Sequence, residues 1–142
     1  MIDLVHAAII VDEALAHGRG MGLPPLTVAV LDAGGCLVCF KREDGSSLLR
    51  PEIAQAKAWG ALGMGVGSRA LAQRAAVAPA FVSAVNALAG GRLIPVPGGV
   101  LIRDKALSIA GAVGITGANS DQDEACAVAG IKAAGFTADT GE

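Results

Sequence analysis

The chain has 142 residues, the length of one ordinary domain, and at this size it can bury a core without disulfides or metals. It carries 11 Lys and Arg against 13 Asp and Glu, with aromatics at 3% and no tyrosine; without a basic stripe or stacking rings, nucleic acid is not an expected partner. Hydrophobic residues reach 53%, more than one small domain readily hides, so part of that surface is expected in a contact between copies of the chain.

Met1-Ile2-Asp3-Leu4 has an early acid and no basic run, unlike a secretory leader. The apolar stretch from Ala75 to Gly91 is broken by Pro79, Ser83, Asn86 and two glycines, which leaves it too short to span a bilayer. The expectation is a cytoplasmic protein with no membrane partner.

A helix is predicted from Asp3 to His17, with Gly18 and Gly20 as its stop signal. Leu26 to Leu31 is a β-branched run between Pro24-Pro25 and Asp32-Ala33-Gly34-Gly35, and Cys36 to Phe40 follows as its hairpin partner. Arg42 to Ser47 is loop-like. Pro51 suits the first turn of a second helix running through Lys57 and Trp59, and glycines at 60, 63, 65 and 67 weaken its far end. Two shorter helices are predicted over Ser68–Ala76 and Pro79–Leu88. Strands are expected at Leu93–Val96, Val100–Arg103 and Leu107–Ile115. Asp121 and Glu124 have capping-box spacing at the start of a last helix ending near Ala134, and Thr137 to Glu142 reads as a frayed tail. The resulting order, α-β-β-α-α-α-β-β-β-α, is an α+β pattern: one antiparallel sheet of about five strands covered by helices, in a single domain over residues 1–142.

Several segments, in order along most of the chain, resemble the GlcG/HbpS-like family, which includes the C-terminal domain of PduO-type proteins. They are Val28-Ala29-Val30-Leu31-Asp32-Ala33-Gly34-Gly35, Arg42-Glu43-Asp44-Gly45, Ala56-Lys57-Ala58 and Pro97-Gly98-Gly99-Val100. The series closes with Gly111 to Gly117 leading into Asp121-Gln122-Asp123-Glu124. Leu101 departs from it, standing where the family usually has a proline. The resemblance implies a profilin-like fold, symmetric homo-oligomers and a small-molecule role in catabolism, with haem among the candidate cofactors.

Haem needs an axial ligand and an apolar slot. His6 and His17 are the only histidines. His17 falls in the last turn of the first helix, where the dipole favours a cation. His6, on an apolar helix, is the candidate ligand, although core or interface packing is the plainer explanation. Phe40, Phe81, Phe136 and Trp59 provide few rings to hold a porphyrin. Three cysteines give no disulfide framework. Cys36 and Cys39 fall on opposite strand faces and so cannot share a metal, and Cys126 reads as a small core residue. No metal site is expected.

Asp32 could act as a base or hold a hydroxyl, but at the end of a strand before two glycines an Asx turn accounts for it more simply. Arg42, Asp44 and Lys57 form a candidate set. Arg42 could grip a carboxylate, and Asp44 and Lys57 could move protons, unless the three merely tie the loop to the helix. Gly98-Gly99 would let a ligand or another backbone approach closely. These residues point first to a small-ligand or cofactor-binding oligomer. The alternative is a cofactor-independent lyase, isomerase or hydrolase acting on a small oxygenated or carboxylated metabolite, with Lys57, Asp44 and Asp32 as catalytic groups.

Overall fold

The computed structural model describes residues 1–142. The first half of the chain gives α1 (Leu4–Gly20), β1 (Thr27–Asp32), β2 (Leu37–Arg42), α2 (Arg50–Met64), α3 (Ser68–Val77) and α4 (Pro79–Leu88). The second half gives β3 (Gly99–Arg103), β4 (Ile109–Thr116), α5 (Ser120–Ala133) and β5 (Thr137–Asp139). All five strands join one antiparallel sheet in the order β2-β1-β4-β3-β5. The strand groups on either side of the helical block therefore meet at the β1–β4 pair, as the α+β pattern requires.

Alternation along the strands divides the interior in two. Val28, Val30, Val100, Ile102, Val113 and Ile115 face α1 and α5, whose Ile10, Val11, Ala14, Ala127 and Ile131 complete the larger core. Leu31, Leu101 and Ala112 point the other way, onto Ala58 and Ala61 of α2. The helices sit close because small residues allow it: a Cβ on Gly114 would lie 1.8 Å from the Ala54 carbonyl oxygen, and one on Gly130 would lie 2.4 Å from that of Ile10. The α3–α4 pair has a smaller core of its own, built on Leu71, Val82 and Leu93.

Four local expectations are corrected. Leu93–Val96 is not a strand: Pro95 and Pro97 flank Val96 and cannot donate to a ladder. Instead Leu93 turns inward, and its N–H donates to Asn86 Oδ1 at 3.0 Å. The supposedly frayed tail supplies the fifth strand, with Thr137, Ala138 and Asp139 opposite Arg103, Ile102 and Leu101. Helix α1 runs through Gly18 to Gly20, because Gly18 is a packing position where a Cβ would meet Leu26 at 2.5 Å. The cap of α5 is Asn119, which accepts from Gln122 N at 2.8 Å while Gln122 returns the bond, so the capping box lies two residues before the pair Asp121 and Glu124.

No helix is long and apolar enough to cross a membrane.

Candidate functional site

His6 stands in the first turns of α1, which Asp3 caps. One Asp3 carboxylate oxygen accepts from the His6 backbone N–H at 2.9 Å and meets ring Nδ1 at 2.7 Å. Those two bonds, the backbone one first, hold the Asp3 carboxyl below its ordinary range. A carboxylate at Nδ1 favours the tautomer with the proton on that nitrogen and leaves Nε2 unprotonated, with a free lone pair. The ring stands edge-on to Phe136, with centroids 5.5 Å apart. In the same turns of α1, Leu4, Val5 and Ile9 remain 63%, 69% and 38% exposed. With its side chain 43% exposed, His6 is not a buried core residue. His17 lies in the last turn of the same helix.

Lys57 is buried and pairs with Asp123, an acid in the first turn of α5. Its Nζ donates to the Ile115 carbonyl at 2.9 Å and to Asp123 Oδ2 at 3.2 Å, and Asp123 Oδ1 accepts from Ala118 N at 3.0 Å. Burial lowers the Lys57 pKa and raises that of Asp123, because each loses hydration in its charged form. The pair ties α2 to the end of β4 and to α5. One signal was available: a lysine among Ala, Ile and Trp on a buried helix face needs an acid, and Asp123 is the acid at the foot of the other helix bordering β4.

Gly98 and Gly99 serve this packing. A Cβ on Gly98 would lie 2.8 Å from Lys57 Nζ, and one on Gly99 would lie 2.2 Å from the Lys57 carbonyl oxygen. Gly99 N also donates to Ser68 Oγ at 2.7 Å. The room left by the two glycines is filled by α2, and the cavities described here are lined by other residues.

Arg42 and Asp44 border an open basin of about 510 Å³ with Leu15, Arg19, Pro25, Lys41 and Glu43. Arg42 donates to the Ser46 carbonyl, and Arg19 pairs with Glu43 at 2.9 Å. Neither Arg42 nor Asp44 bonds to Lys57. Asp32 accepts from Gly34 N and Cys36 N at 2.9 and 3.0 Å, closing the β1–β2 turn. Since Thr27 pairs with Arg42, Asp32 lies five strand residues from the Arg42 end, about 17 Å at 3.3 Å per residue. Asp32 is thus remote from the Arg42 end of the strand, and Lys57 bonds to Ile115 and Asp123 rather than to Asp32 or Asp44.

The cysteines are all free, with Cys36 exposed and Cys126 buried; burial pushes the Cys126 thiol up to about 11. Cys39 packs against the larger core.

A family model described as "Haem degrading protein HbpS-like" matches residues 2–132. Among solved structures, PduOC in complex with haem superposes with a TM-score of 0.85 at 21% identity, covering 95% of this chain and 96% of that one. Protein ORFY of Klebsiella pneumoniae gives 0.83 at 22% identity, with 94% and 90% covered. A double mutant of HbpS from Streptomyces reticuli gives 0.79 at 26% identity, with 92% and 85% covered. No curated protein matches the sequence.

Proposed function

This chain belongs to the HbpS-like family, and from that premise we propose that it is a homo-oligomeric cofactor-binding protein whose guest is haem, held by His6. The observation that carries the reading is the His6–Asp3 contact at 2.7 Å, which orients an imidazole and leaves Nε2 without a protein partner. Metal-ligating histidines ordinarily have a carboxylate or carbonyl on the second ring nitrogen, and that partner raises their basicity. The family description names haem, and one structure of the same fold is a haem complex. The donor set fits the group: His6 would hold the iron through Nε2, Asp3 would orient the ring, and the exposed Ile9, one turn on, would offer apolar surface. That surface is open in one chain, so a second copy laid against α1 would complete the slot and exclude water. A bound haem would supply an iron centre for electron or dioxygen chemistry; the chain's own part is to bind, orient and desolvate it.

Haemin titration of the purified protein tests this. The reading expects a saturable Soret band that His6→Ala removes and His17→Ala leaves in place. A wild-type protein without such a band, or a band equally strong in His6→Ala, would overturn it. Lys57 is engaged with Asp123 and Asp32 closes its own turn, which supports binding over the cofactor-independent enzyme reading.

A further inference from the structure

Trp59, the single tryptophan of the chain, lines two neighbouring cavities. One, of about 290 Å³, is bordered by Leu31, Glu52, Gln55 and Arg92. The other, of about 200 Å³, is an apolar slot between Gly60, Gly63 and Met64 of α2 and Val85 and Leu88 of α4. The Arg92 guanidinium lies 3.8 Å over the Trp59 ring, and its Nε donates to the Ala89 carbonyl at 3.1 Å. Arg92 is in no ion pair, so its two terminal nitrogens offer a planar, cationic fork with no acid upon it. Such a fork matches a carboxylate.

Gly63 adds a second observation. A glycine inside a helix is unfavourable relative to alanine, and most buried glycines of this chain are forced by a neighbouring backbone. Gly63, which is exposed, is under no such constraint: an added Cβ would meet only the Trp59 ring, at an ordinary 3.8 Å. What its missing side chain preserves is room in the apolar slot.

We propose that the two cavities form one groove for an organic acid with an aromatic or branched apolar body. Its carboxylate meets Arg92 in a two-pronged bond, and its body lies along Trp59 into the slot beside Gly63. Glu52, on the same rim, accepts a hydrogen bond from a hydroxyl on the acid. The groove is separate from the His6 face, so the two readings stand or fall independently.

Trp59 reports on its own site. Titration of the full chain with 3-phenyllactate, followed by tryptophan emission and repeated by calorimetry, should give a saturable change. Arg92→Gln should weaken binding at least tenfold, and Gly63→Leu should abolish it. His6→Ala should leave it unchanged, and 2-phenylethanol, which lacks the carboxylate, should give no saturable signal. Circular dichroism checks that the variants fold. No saturable change in the wild type, or equal affinity in Arg92→Gln, would overturn the proposal. So would a Gly63→Leu protein that keeps wild-type affinity but changes mass in light scattering, since the groove would then be a contact between copies.

Discussion

Lys57 and Asp123 come from helices 66 residues apart in the chain, and both are almost wholly buried. Removing one partner of such a pair leaves an uncompensated charge in low dielectric, which costs about 3–5 kcal/mol. Lys57→Met should lose stability of that order in urea unfolding at neutral pH. Lys57→Met with Asp123→Asn should recover much of it, because no buried charge remains and Asn can still accept from Ala118 N. The pH dependence has a definite sign. Burial already raises the Asp123 pKa, and loss of the lysine raises it further. A folded pKa above the unfolded value stabilises below the unfolded value, about 4 for Asp, and that gain is lost as pH rises through the folded pKa. The gap between Lys57→Met and wild type should therefore narrow on acidification; a gap that widens would contradict the buried-pair description. At His6 the informative change is Asp3→Asn. Asn caps helices as well as Asp, so the melting temperature should barely move, whereas loss of the orienting carboxylate should weaken haem binding about 10–100-fold.

Two glycines of the sheet–helix layer should answer substitution with opposite signs. Gly63→Ala should raise stability by up to about 1 kcal/mol, the difference in helix propensity, because nothing crowds the new methyl. Gly114→Ala should destabilise by about 1–3 kcal/mol or more through overpacking, since its Cβ would fall on the Ala54 carbonyl. Thermal melts of the two variants check both. The same contrast explains what could be read in advance. β1, β2 and β4 were legible as β-branched or apolar runs bounded by glycine, and α2 announced itself through Pro51. Leu93–Val96 has the apolar content of a strand, but Pro95 within it and Pro97 after it cannot donate to a ladder. β5 was illegible because three residues carry no periodicity, and only the exposed edge of β3 and the Arg103–Asp139 pair at 2.7 Å give them a place. The Asp32 turn could be read locally, and so could the interest of Lys57; its partner could not, since that contact exists only once α2 and α5 border the same strand. The Asn119–Gln122 box has a readable spacing, but Asp121 and Glu124 offer the same spacing two residues on.

The molecule as a whole keeps more apolar surface than its own core absorbs. Beyond α1, the exposed residues include Leu48 and Leu49 before α2, and Val77, Phe81 and Leu88 around α4. Where exposed apolar residues adjoin in one patch, they mark contact surfaces. If the α1 face joins two copies around the cofactor, association and haem binding must be lost together. Val5 is the residue to change, because it is 69% exposed in the single chain and is not part of the buried core. Size-exclusion chromatography with light scattering and Soret detection, on the wild type and Val5→Glu after haemin loading, measures both properties at once. The wild type should elute at a multiple of the chain mass with its Soret band, and Val5→Glu should elute smaller and without one. A single-chain wild type that carries haem, or a Val5→Glu protein that keeps the band, would contradict the placement of haem at His6 between subunits.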